Sequence, residues 1–225
     1  MVAISCWRKA VGAFTLRVRG CRSAYPATAR KGANGGKGGS VEPAPTPAAA
    51  ILDNAAMTPP RKALAPSFSA DDFRAALGMF ATGVTIVTAR DANGMRVGLT
   101  ANSFNSVSLA PPLVLWSLSR SAGSMPVFER GSHYAINILA ASQHVLAERF
   151  ASKATDRFAD VAFSEGAGGA PLLEGAAAVF ECFNRSQYEE GDHVIFVGEV
   201  ERCSRRAGVA PLIFHGGRYF TELPL

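Results

Sequence analysis

The chain has 225 residues, 48% hydrophobic and 18% charged, enough for one domain with a substantial core and too few for two large ones. Its formal charge of +5 misleads, because residues 1–41 hold eight Lys/Arg and no acid, leaving 15 Lys/Arg against all 18 Asp/Glu in the remainder. A body with more acids than bases lacks the basic folded face that nucleic-acid binding requires, and no run of 18 apolar residues offers a membrane span.

Residues 1–66 are predicted to form an extension. They are Arg-rich and acid-free, then Gly-rich, then Pro/Ala-rich, a composition that cannot bury enough apolar surface to offset ordering. Such an N-terminus matches either an organellar targeting peptide or an extension from an upstream start codon, and a cytoplasmic location is expected for the domain at residues 67–225. The stretch "NGGKGGS" at 34–40 lacks the first Gly and the preceding strand of a phosphate loop.

Order is predicted from Ser67. In "SFSADDFRAALGMFATG", Ser69 precedes Asp72 by three residues, a capping-box start, and Phe73, Leu77 and Phe80 share one helical face before Gly83 ends the helix. "VTIVTAR" (84–90) is a β-branched strand, "DANG" (91–94) a hairpin turn, and the returning strand runs into "VGLTANSF". "PLVLWSLS" (112–119) is the third strand. A short helix follows, with Ser124 at its N-cap and a proline near its first turn.

"HYAINILA" is the fourth strand, and "SQHVLAERFAS" a helix capped by Ser142. "AAAVFECFNRSQYEE" and "HVIFVGEVERCSR" are two long strands joined around Gly191 and Asp192. In the second, Val194, Phe196, Gly198 and Val200 share one face while Ile195 and Val197 share the other, the pattern of a strand between layers or in a barrel wall. A tight Gly216–Gly217 hairpin closes the chain. Many strands joined by turns, with helices at corners, predict a mainly β closed antiparallel barrel.

Little in this inventory supplies acid–base chemistry. There is no G-x-S-x-G elbow, no metal-ligand spacing among Cys6, Cys21, Cys182, Cys203 or the four histidines, and Cys182 lies in an apolar run that predicts a buried thiol. The acids Glu189, Glu190 and Asp192 cluster in a turn, where a solvated face is the default. Chemistry carried by an organic cofactor fits this scarcity. The polar stretch "GLTANSFNSVSLAPP" offers Ser, Thr and Asn groups that suit a hydrogen-bond-rich ring or a phosphate; composition alone is met at least as well by a loop that caps strand ends.

The segments "FATGVTIVTA", "GLTANSFNSVSLAPPLVLWSL", "YAINILAASQHVLAERFAS", "DRFADV", "PLLEGAAAVFEC", "GDHVIFVGEV" and "PLIFHGGRY" occur in the order typical of the flavin reductase family. The chain resembles that family over about residues 68–219, in particular the reductase components of two-component aromatic monooxygenases. The resemblance implies the closed Greek-key split barrel that binds FMN, with a few flanking helices. It also implies hydride transfer from NADH or NADPH to FMN or FAD, a homodimer, and a monooxygenase partner that receives reduced flavin. A flavin-binding carrier, or a flavin-dependent oxidase or oxygenase on the same barrel, is the alternative.

The resemblance also implies roles. Thr100, Ala101, Asn102 and Ser103 would line the isoalloxazine and ribityl chain, and Ser106 would reach the ribityl or phosphate end. Ser117, Ser119 and Ser124 would wrap the phosphate. Ala151, Ser152 and Arg157 match a second phosphate-contacting segment, Arg157 being the charge partner unless it is a surface arginine beside Asp156 and Asp160. His193 would be the catalytic residue that holds the nicotinamide, or else a structural histidine at a strand start. Arg218 and Tyr219 would border the same pocket, although Tyr219 also suits a core aromatic. No metal is expected.

Overall fold

Ser69 opens the first helix as the sequence predicts. In this computed structural model, which describes residues 64–154 and 156–222, its Oγ accepts the Asp72 N–H at 3.1 Å while Asp72 Oδ2 accepts the Ser69 N–H at 3.1 Å. Most of the expected N-terminal extension lies outside the described residues. Helix α1 spans Ala70–Gly78 and ends earlier than the periodicity suggests, where Gly216 N–H takes the Gly78 carbonyl at 3.0 Å. Its predicted apolar face is not a core face: Phe73 and Leu77 are 51% and 57% exposed.

The strands follow in order: β1 (Thr82–Gly83), β2 (Thr85–Arg90), β3 (Arg96–Ala101), β4 (Asn105–Leu109) and β5 (Pro112–Ser119). Helix α2 (Met125–Arg130) then leads into β6 (His133–Ile138), and helix α3 (His144–Ala151) precedes β7 (Phe163–Glu165) and β8 (Pro171–Leu173). The long hairpin is β9 (Ala178–Glu190) with β10 (His193–Arg205), followed by β11 (Leu212–His215) and β12 (Arg218–Thr221). Gly216 and Gly217 turn the last hairpin with φ of 56° and 79°, the left-handed region that favours glycine. Ser142 does not cap α3; a 3-10 turn at Ala141–Gln143 intervenes, and the Gln143 side chain accepts the Ala140 N–H at 3.0 Å. Strand β4 was hidden in the sequence by its polar residues.

All pairings between these strands are antiparallel. The largest sheet has the order β3-β2-β6-β9-β10-β5-β4, beside a three-stranded sheet β1-β11-β12 and a β7-β8 pair. The predicted closed barrel is therefore corrected. Strands β3 and β4 are consecutive in the chain yet stand at opposite ends of the sheet order and do not pair, so the sheet stays open. The corner between them shows why. Ser103 turns across to β5, accepting the Ser117 N–H at 2.9 Å and donating to the Ser117 carbonyl at 3.2 Å. These bonds carry the chain onto β5, and a bulge between Ser106 and Ser108 interrupts the register of β4.

Strand β2 separates two cores. Val87 and Ala89 enter one cluster and Ile86 the other, as alternation along a doubly covered strand requires. The first core centres on Trp116, stacked on Phe196 at 4.9 Å and met edge-on by Phe128 at 4.9 Å and Tyr134 at 5.7 Å. The second joins Leu139, Ala147, Phe150, Leu173 and Leu212. Buried Asn137 ties β8 to the sheet: Nδ2 donates to the Ile86 carbonyl at 3.0 Å, and Oδ1 accepts the Leu173 N–H at 2.8 Å.

Candidate functional site

Gly98 lets helix α3 and the loop after it lie on β3. A Cβ there would come within 2.6 Å of the Phe150 ring and 3.2 Å of Phe158, and those two rings meet edge-to-face at 5.0 Å. Together they floor a cleft of about 510 Å³, bounded by β3, by residues 122–124 ahead of α2, and by Ala151, Ala154, Asp156 and Arg157 at and beyond the end of α3. Its apolar surface comes from Val97, Leu99, Phe150 and Phe158, and its charged groups are Arg96, Asp156 and Arg157. A few polar groups around an apolar floor is the usual make-up of a small-molecule site.

Arg157 holds this wall together. Its Nε and Nη2 donate to the Ser152 carbonyl at 3.1 and 2.6 Å, and Nη1 donates to the Gly98 carbonyl at 2.9 Å. A guanidinium has five N–H groups, so two remain for a ligand. Ser124, at the start of α2, makes no side-chain cap bond, which leaves its hydroxyl available as well. Asp156 is turned to the backbone, its Oδ1 accepting the Phe158 N–H at 2.9 Å. Arg96 lies over the Phe163 ring at 5.0 Å.

Of the residues singled out from the sequence, the cleft gathers Thr100, Ser124, Ala151 and Arg157. Thr100 Oγ1 donates to the Ala147 carbonyl at 2.6 Å, so its hydroxyl serves the α3 contact first. Ala101 is buried on β3, where its carbonyl accepts the Thr85 hydroxyl at 2.8 Å. Ser152 caps the end of α3, with Oγ on the Arg149 carbonyl at 2.8 Å.

A second group collects at one end of the β5–β10 ladder. His193 pairs with Ser119 there, two places from the Ile195–Ser117 pair, and the Arg120 N–H takes the Asp192 carbonyl at 3.0 Å. His193 Nδ1 lies 2.7 Å from Asp192 Oδ1, and that hydrogen bond, with the charge behind it, holds the Asp192 carboxyl below the usual carboxylate range. Five residues, 119–123, carry the chain from this corner to Ser124 in the cleft.

Asn102 and Ser106 are exposed and do not line the cleft. Arg218 is exposed on β12, and Tyr219 packs on the second core, 5.5 Å from Phe214. Burial, then the nearby Glu148 charge, raises the Tyr219 phenol above its ordinary value. Sequence reasoning passed over Gly98, Phe150 and Phe158, and read Asp192 only as part of a solvated turn. A lone glycine in a strand pattern is the signal that would have found the first.

A family profile described as "Flavin reductase like domain" matches residues 77–222. An FMN reductase (NADH) of Agrobacterium fabrum, SmoA, is 46% identical over 65% of this chain and 83% of its own length. The reductase component of the flavin-dependent trigonelline monooxygenase of Acinetobacter baylyi is 41% identical over 67% of this chain, which spans only 48% of that protein. Among solved structures, the NADH:FAD oxidoreductase SgcE6 of Streptomyces globisporus C-1027, in complex with NAD and FAD fragments, superposes with a TM-score of 0.67. It is 38% identical, over 72% of this chain and 98% of that one. With more than half of its length inside one family profile, this chain belongs to the flavin reductase like family of NAD(P)H-dependent flavin oxidoreductases.

Proposed function

We propose that this protein transfers hydride from a reduced nicotinamide nucleotide to a flavin held in the Arg157 cleft, and that the reduced flavin serves a partner monooxygenase. Bound flavin supplies the chemistry, as the acceptor of a hydride at its ring. The chain's own residues bind and orient. Leu99, Phe150 and Phe158 give a planar ring an apolar floor, while Arg157 and Ser124 offer donors to a phosphate. The donor set fits the ligand: an apolar body with one anionic end.

His193 has a defined task in this reading. Its Nδ1 faces the Asp192 carboxylate, which favours the tautomer with the proton on Nδ1 and with Nε2 as the acceptor. An acceptor there suits the amide N–H of a nicotinamide carboxamide, and Asp192 fixes which nitrogen offers it. The ladder fixes the ring's origin, and the segment 119–124 joins it to the cleft. Support for the nucleotide comes from the Agrobacterium and Streptomyces relatives, named for NADH, and support for the partner from the Acinetobacter one. A homodimer belongs to the same reading, supported by Val107 and Leu109, 50% and 82% exposed on the sheet-edge strand β4.

The carrying observation is Arg157, which braces the cleft wall with three N–H groups and keeps two for an anion. The test is oxidation of NADH and NADPH, followed by loss of the reduced-nicotinamide absorbance, with and without added FMN or FAD. Turnover that depends on flavin supports the proposal. Flavin binding with no nicotinamide oxidation would move the assignment to a carrier or an oxygenase.

A further inference from the structure

Strand β10 outruns its neighbour on one side. It pairs with β9 along its whole length, from His193 to Arg205, but with β5 only as far as Glu199, opposite Leu113. In that register Pro112 and Pro111 come next, and proline has no N–H to give a ladder. Residues 200–205 therefore keep one edge with no strand partner among the described residues. We propose that this open edge docks an extended, acidic segment of a partner protein, which adds to the sheet as a further strand beside β10.

Charge says which partner. Arg202, Arg205 and Arg206 are exposed along the edge or just beyond it. The acids around them have other neighbours: Glu199 Oε2 accepts from Arg185 at 2.8 Å, Glu201 Oε2 lies 3.4 Å from His133 Nε2, and Glu181 Oε2 accepts the Ala167 N–H at 2.7 Å. Arg202 reaches Glu181 only at 3.4 Å, and Arg206 gives one N–H to the Gly175 carbonyl at 2.9 Å. Charged groups on an open edge guard it against promiscuous pairing, and a guard of one sign still admits the opposite one. A second copy of this chain would bring the same three arginines to the same short edge, and like charges across a ladder are destabilising.

The edge also borders a cavity of about 450 Å³ beside the β7–β8 pair. Leu172 and Val179 give it apolar surface, and its acids, Glu174 and Glu181, are fewer than its three arginines. Side chains along a strand alternate between its two faces, so an added strand with small apolar residues spaced between acids suits both the cavity and the charge. The cavity shares no residue with the Arg157 cleft, and a strand docked here does not contend for that cleft's ligand.

The experiment uses the full chain and a capped synthetic peptide of alternating Glu and Val, read by hydrogen exchange and by anisotropy of a labelled copy. The expected result is slower exchange at residues 200–205 when peptide is added. Binding should weaken about tenfold in the double variant Arg202→Glu, Arg205→Glu, because each reversal turns a surface attraction into a repulsion. An unchanged urea midpoint shows that the variant is folded. The same peptide N-methylated at every residue keeps its charge and loses its ladder, and it is expected not to bind; this control stands even where the double variant fails to fold. Equal binding of the methylated peptide reduces the site to charge attraction and overturns strand addition. Unaltered exchange at 200–205 with millimolar peptide overturns the proposal outright. Protection of 200–205 in the free chain that fades on dilution, with a fall in sedimenting mass, assigns the edge to a second copy and overturns it as well.

Discussion

Arg157 grips the carbonyl oxygen of Ser152 through two N–H groups, Nε at 3.1 Å and Nη2 at 2.6 Å. With the third bond, to the Gly98 carbonyl at 2.9 Å, the side chain fastens the segment after α3 to strand β3. A planar fork makes this arrangement, and a lysine ammonium cannot copy it. Arg157→Ala is therefore expected to lower stability by about 1–2 kcal/mol, for three partly solvated hydrogen bonds. Faster amide exchange around residues 152–158, seen by mass spectrometry, would accompany the loss. Unchanged exchange there would mean that the loop is held by other contacts.

Gly98 tests the floor of the cleft. A valine there drives its Cβ toward the Phe150 ring, at 2.6 Å before relaxation, and Phe150 is fully packed in the second core. Overpacking of this kind costs about 1–3 kcal/mol. Gly98→Val should show a lower urea midpoint and weaker flavin binding together, because one ring serves both core and floor. A variant of full stability would show that the rings yield without cost.

The two cysteines of the described residues should behave oppositely. Cys182 is fully buried, and burial, with the charges of Glu201 and Glu181, pushes its thiol up to about 12. Cys203 is exposed. Alkylation near neutral pH, mapped by peptide mass, should label Cys203 and spare Cys182 until the protein unfolds. Early labelling of Cys182 would contradict the packing of the first core.

The Asp192–His193 pair predicts a pH response with a definite sign. A carboxyl held below its ordinary value contributes stability above the unfolded pKa, near 4, and loses it as pH falls through the lower folded value. Its carboxyl carbon should titrate below that of an ordinary aspartate, and His193→Ala should return it to the ordinary range. His193→Ala is also expected to raise the Michaelis constant for the nicotinamide nucleotide while leaving FMN affinity unchanged. Normal turnover in that variant would remove the residue from the site.

How much of this was legible in the sequence depended on how local the cause was. The Ser69–Asp72 cap, the β5 strand and the β9–β10 hairpin rest on neighbouring residues, and their positions follow from period and turn chemistry. Ser124 was placed at the right helix start, but its hydroxyl does not cap, because the backbone there is already helical, with φ of −86° and ψ of −8°. The barrel failed for a non-local reason: no pattern in "TANSFNS" says that Ser103 bonds across to Ser117, 14 residues away. The site divides the same way. The family resemblance points to Arg157 and Ser124, which line the cleft, whereas the Phe150–Phe158 floor exists only once α3 lies on Gly98.

The measurement that tests the account most directly compares FMN with riboflavin, which lacks the phosphate, in the wild type and in Arg157→Ala. If Arg157 meets a flavin phosphate, the wild type binds FMN about tenfold or more tightly than riboflavin, as a charge-assisted bond requires, and the variant erases that preference, weakening FMN far more than riboflavin. If the variant weakens both flavins equally, Arg157 only braces the loop, and the phosphate lies elsewhere.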